Sequence, residues 1–143
     1  MSTAKSTARA AEKARGSVPG TLQEQQFGIA ESYYYGNGVS RDAARAYNWY
    51  RKSAEQGYAE AQFALGIMYE HGRGIDKSES KAAAWYQRAA AQGHAGAQHS
   101  LGACLVNGDG VRKDYNEAIQ WFRKAAAQGN AASKDALRQL GVR

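Results

Sequence analysis

From Thr21 onward, apolar positions recur at helical spacing in short blocks separated by glycine-bearing loops. The block from 59 to 71 (AEAQFALGIMYEH) sets Phe63, Leu65, Met68 and Tyr69 at near-helical intervals. The block from 78 to 92 (SESKAAAWYQRAAAQ) is Ala-rich and carries one aromatic pair. Between them lies GRGID, residues 72–76, whose two glycines permit a tight reversal through positive φ. This helix A, loop, helix B, turn unit is written three times. Trp49, Trp85 and Trp121 are 36 residues apart, as are Gly36, Gly72 and Gly108, and Gly57, Gly93 and Gly129. A fixed period of this length predicts a stacked array of two-helix units.

The ends of helix B are marked chemically. Asp42, Ser78 and Asp114 stand where an N-cap oxygen is needed, and Asp114 with Glu117 has capping-box spacing. Gly57, Gly93 and Gly129 stand where a left-handed residue ends a helix. Small residues predict close helix approach: Gly66 and Gly102 opposite Ala82 and Ala118, with Ala30 and Ala46 in the first unit. The pairs Trp49-Tyr50, Trp85-Tyr86 and Trp121-Phe122 are expected to fill the space between units, and Val39, Ile75 and Val111 to tuck into the core. Residues 131–140 read as a fourth helix A, with Leu137 in register with Leu101 and Arg138 in register with Gly102. An arginine there suits an exposed capping face.

These residues resemble the SEL-1-like repeat family, a relative of the tetratricopeptide repeat. The family pattern A-x-A-Q-x-x-L-G-x-x-Y-x-x-G-x-G, then W-[YF]-x-[KR]-A-A-x-x-G, is met by AEAQFALGIMYEHGRG with WYQRAAAQG. It is met again by AGAQHSLGACLVNGDG with WFRKAAAQG, and the resemblance covers about residues 23–140. It implies an all-α fold: a right-handed α-solenoid of three helix-turn-helix repeats, at about 23–58, 59–94 and 95–130, plus a C-terminal capping helix at 131–140. It also implies a scaffold or adaptor role. Family members resemble one another as parts of protein-quality-control complexes, of cell-wall or exopolysaccharide assembly, and of bacterial contacts with host proteins.

In such solenoids the A helices line a concave face. Carried over position by position, the exposed set is Glu24, Phe27, Glu31, Tyr34 and Tyr35 in the first repeat. It is Glu60, Phe63, Ile67, Glu70 and His71 in the second, and His99 and Asn107 in the third. These positions hold acids and aromatics but no Lys or Arg, while Arg51-Lys52, Arg88 and Arg123-Lys124 recur on helix B. The expected partner is a protein or peptide, apolar with some positive charge. Aromatic anchors would carry the affinity and carboxylates the orientation. Consecutive tyrosines before a glycine loop cannot both be buried, which singles out Tyr34 and Tyr35. The competing reading makes Phe27 and Phe63 packing residues and the helix B cations a solvated face whose stems cover tryptophan.

Charge adds a second candidate function. The chain carries a net +6, and Lys5, Arg9, Lys13 and Arg15 against Glu12 put half of it in residues 1–20. That small, polar segment has no apolar stripe and is expected to be disordered, ending at Ser17-Val18-Pro19-Gly20. The alternative function is therefore an anionic-surface binder, contacting nucleic acid or acidic membrane through this tail and the helix B face. Nucleic acid is disfavoured because basic and aromatic residues do not interleave. The single cysteine, Cys104, forbids an intrachain disulfide, and no apolar run reaches the about 18 residues of a membrane span. With no secretory signal evident, a cytoplasmic location is favoured. A monomer is expected, with end-to-end stacking as the other arrangement.

No catalytic chemistry emerges. His94, His99 and Cys104 are five apart in turn, which spreads them around a helix, so neither a metal nor another cofactor is expected. Ser78-Glu79-Ser80-Lys81 matches S-x-x-K, but Ser78 already has a capping role. The glycine loops lack the P-loop lysine. The chain reads as a non-enzymatic interaction module.

Overall fold

The computed structural model describes residues 20–142. The basic segment 1–18 therefore lies outside the described residues. Among the described residues there are seven α-helices and no strand: α1 (Leu22–Tyr35), α2 (Ala43–Glu55), α3 (Ala59–His71), α4 (Glu79–Ala91), α5 (Ala95–Asn107), α6 (Tyr115–Ala127) and α7 (Ala131–Gln139). This is an all-α helical repeat fold. The chain divides into two compact units at Lys77/Ser78, with α1–α3 in the first and α4–α7 in the second.

Helix boundaries follow local chemistry. The carboxylates of Asp42 and Asp114 accept the backbone N–H of Arg45 and Glu117, both at 3.0 Å, and the Ser78 hydroxyl accepts that of Lys81. Only half of the expected capping box forms at α6. The Asp114 N–H donates to the Leu105 carbonyl at 3.0 Å, so Glu117 is not needed to satisfy it. The Asp42 N–H does the same with Tyr33, and each bond closes its own A–B hairpin. Gly57, Gly93 and Gly129 each sit at φ 94°, immediately after helix B.

Successive repeats inside a unit are stapled through backbone. In the first unit the buried Gln62 amide donates to the Ala54 carbonyl at the end of α2; in the second, Gln98 donates to Ala90 at the end of α4. Each carbonyl already accepts a turn N–H, from Gly57 and Gly93, so the glutamine adds a second donor from the next repeat. The second loop glycine adds a steric lock. A Cβ on Gly110 would stand 2.2 Å from the Glu79 oxygen at the start of α4, so only glycine lets the loop lie there. Gly74 approaches Ala43 of α2 in the same way.

Packing inside the repeats departs from the sequence expectation in three places. Gly102 faces the Phe122 ring rather than Ala118: a Cβ there would meet Phe122 Cε1 at 2.7 Å. Phe122 lies one turn beyond Ala118 on the same side of α6, and its larger ring claims the gap. Within each Trp-aromatic pair the second residue fills the core, since Tyr50, Tyr86 and Phe122 are buried. The tryptophans are half-buried, and each outer face is covered by a cation one turn or less away. Lys52 Nζ stands 4.3 Å from the Trp49 ring centre, Arg88 Cζ 4.4 Å from Trp85, and Lys124 Nζ 4.6 Å from Trp121. Val39, Ile75 and Val111 are likewise only half-buried.

Candidate partner-binding surface

The most exposed aromatic on a helix A is Tyr35, at the last position of α1, with 60% of its surface open. It packs edge-on against Tyr34, with ring centres 4.9 Å apart. Tyr34 is held from three sides. Its ring meets Tyr50 at 6.2 Å, Arg41 Nε donates to its carbonyl at 3.1 Å, and the Arg73 guanidinium donates to its hydroxyl. Tyr34 is thus fixed by its own repeat and by the next loop, and it supports Tyr35 as an outward ledge.

Both arginines escaped the sequence reading, which considered helix A positions alone and found no Lys or Arg there. The loops bring guanidinium groups to the tyrosines from outside the helix. One signal was available: Arg41, Lys77 and Lys113 recur 36 apart, each closing a glycine loop. Leu22 and Tyr115, at the first positions of α1 and α6, are the other large exposed apolar residues among the described residues and were also missed.

The remaining candidates differ in exposure and in what they touch. Glu24 and Glu60 lie exposed in the first turns of α1 and α3. Half-buried Glu31 lies close enough to Tyr50 to raise its phenol pKa further, after the larger effect of burial. Glu70 and the exposed His71 approach each other at 3.0 Å. Phe63 and Ile67 are half-buried on α3. Phe27 spends its ring inside its own unit, 5.5 Å from Tyr50 and 5.3 Å from Tyr58. In the second unit His99 occupies the register of Phe27. It repeats that packing, with its ring 5.3 Å from Phe122 and its Nδ1 2.9 Å from the Ser133 hydroxyl of α7. Burial lowers its pKa. Asn107 is exposed at the end of α5.

The residues weighed for catalysis have structural partners. His94 Nδ1 accepts the Ala97 N–H and caps α5, Cys104 is buried in α5, and Ser78 caps α4. Among the described residues no three metal-ligating side chains come together.

A helical pair closed by a glycine loop and repeated at a constant step defines a repeat family. The Sel1 repeat profile matches residues 26–58, 59–94 and 95–130. The chain belongs to the Sel1 repeat family. Solved Sel1 structures agree. A Sel1 repeat protein from Oxalobacter formigenes is 45% identical with a TM-score of 0.77, over 78% of this chain and 46% of that one. A protective antigen of uropathogenic Escherichia coli, described as having an SLR fold, is 36% identical with a TM-score of 0.79, over 84% of this chain and 26% of that one. The chain thus spans about half of the first relative and a quarter of the second. Cysteine-rich protein B of Helicobacter pylori shares the fold at 22% identity, with a TM-score of 0.68, over 93% of this chain and 90% of its own. No curated protein matched. Sel1 repeats are generally protein–protein interaction modules built on a non-catalytic scaffold. Among the described residues no helix is long and apolar enough to cross a membrane.

Proposed function

We propose that this Sel1 repeat chain binds a partner peptide or protein surface through the exposed positions of its A helices, with Tyr35 as the anchor. One observation carries the reading: a tyrosine 60% open to solvent stands on a second tyrosine that three neighbours immobilise. A rigid, amphipathic ring binds at low entropic cost, which is why tyrosine is enriched among hot spots. The partner segment is apolar where it covers Tyr35. Its positive groups lie toward Glu24 and Glu60, because Arg41 and Arg73 already occupy the tyrosine end.

Selection of displayed peptides on the wild-type protein tests this. Peptides carrying an apolar anchor with Lys or Arg are expected to emerge and to bind Tyr35→Ala at least about tenfold more weakly, as for a hot-spot residue. Equal affinity for both proteins ends the proposal. The anionic-surface alternative has less support, because Lys52, Arg88 and Lys124 are already seated over tryptophan rings. It predicts steep loss of binding with salt, which the tyrosine anchor does not.

A further inference from the structure

The 36-residue register allows the two junctions between successive repeats to be overlaid within their own units. In the first unit, Tyr69 of α3 extends toward α2 and meets Tyr47. The rings cross edge-on at 5.8 Å and the hydroxyls bond at 2.7 Å. Arg51 of α2 lies close enough to act electrostatically on the Tyr69 phenol. In the second unit the same positions are Leu105 for Tyr69, Ala83 for Tyr47 and Gln87 for Arg51. Two phenol rings are therefore missing.

A cleft of about 370 Å³ lies beside that shortened pair. Leu101, Leu105 and Val111 give it an apolar lining, and Gln87 and Glu117 line it as well. The volume falls in the range of small-ligand sites. Leu105 holds the register of Tyr69 with a shorter side chain, and Gln87 holds that of Arg51. The cleft thus opens beside a position that carries a phenol in the other unit, and it offers an apolar wall with the Gln87 amide and the Glu117 carboxylate next to it. Arg112 and Lys113, which also line it, are exposed and have no acidic partner among the described residues. The Asp114 carboxylate is engaged by the Glu117 N–H.

We propose that this cleft receives the tyrosine side chain of a partner polypeptide, with a carboxylate of the partner beside that ring. The ring replaces the phenol that Leu105 lacks. Its hydroxyl accepts from the Gln87 amide. The neighbouring carboxylate meets Arg112 and Lys113 at the mouth. The site is separate from the Tyr35 ledge and does not depend on it.

The test uses N-acetyl-tyrosine, which carries both groups, followed by amide and side-chain NMR shifts of the full chain. Saturable shifts are expected at Leu105, Val111 and the Gln87 side chain, with affinity in about the millimolar range open to so small a ligand. N-acetyl-tyrosinamide, without the carboxylate, and N-acetyl-leucine, without the ring, should each bind several-fold more weakly. Leu105→Tyr should fill the cleft and abolish the shifts. Should that variant not fold, Gln87→Leu changes only an exposed helix position and should weaken N-acetyl-tyrosine while sparing N-acetyl-leucine. Shifts that do not saturate, that map elsewhere, or that are equal for all three probes overturn the proposal. So does unchanged binding by folded Leu105→Tyr.

Discussion

The junction between α2 and α3 and the junction between α4 and α5 share a frame and differ in filling. Both use a buried glutamine on a helix-end carbonyl, Gln62 on Ala54 and Gln98 on Ala90. Both seat a loop glycine against the start of the preceding helix B. One junction then packs a bonded tyrosine pair, and the other leaves leucine, alanine and a cleft. The lesson is a division of labour. Backbone staples set the step between repeats, so the side chains between them can vary without loss of the fold. A position released from packing becomes available for recognition.

Removing the tyrosines from the first junction should have the largest effect. Tyr47→Ala with Tyr69→Leu imitates the second junction, and should cost about 4 kcal/mol in urea unfolding, the range for deleting a packed ring. A loss below about 1 kcal/mol would mean that the filling contributes little at either junction. The shared frame gives the next effect. Gly110→Ala combines positive φ with a Cβ 2.2 Å from backbone oxygen and should cost at least about 3 kcal/mol. Gly129→Ala has the same backbone sign but open space around it, and should cost only about 1 kcal/mol in the same assay.

A smaller contrast lies within the first unit. Tyr33 and Tyr69 share a register, yet the buried Tyr33 hydroxyl has no hydrogen-bond partner while Tyr69 has Tyr47. Burial, with the hydroxyl bond second, pushes the Tyr69 phenol up to about 12. Tyr69→Phe should lower stability by about 1 kcal/mol, and Tyr33→Phe should leave it unchanged or raise it, because an unpaired buried hydroxyl is a cost. Thermal melts of the two variants with the same sign would contradict this account.

The smallest effect is in pH. Burial lowers the His99 pKa, so the unfolded chain takes up its proton first as pH falls. The contribution is intact above the ordinary histidine value of about 6.5 and is lost as pH drops through that value toward the lowered one. Urea midpoints should decline between pH 7.5 and 5.5 in wild type, and less in His99→Phe. Parallel declines would remove His99 as a source.

Much of the fold was legible because its signals are local. Asp42, Ser78 and Asp114 cap helices through their own side chains, and Gly57, Gly93 and Gly129 end them through their own φ. The candidate surface was less legible. Phe27 and His99 fit the exposed-position pattern, yet their rings contact helix B of the same repeat. Periodicity says that two positions face one way without saying how far the neighbouring ring reaches. Arg41 and Arg73 arrive at Tyr34 from loops, where helical spacing carries no information.

The sequence alone determined the helices, their ends, the 36-residue step and membership in the repeat family, since caps, turns and apolar spacing act between residues close along the chain. Only the tertiary structure decided which aromatic of each pair is buried, which tyrosine stands free, and where a missing ring leaves room. Those outcomes depend on side-chain volumes meeting across helices, and volume is settled only when the partners are in place.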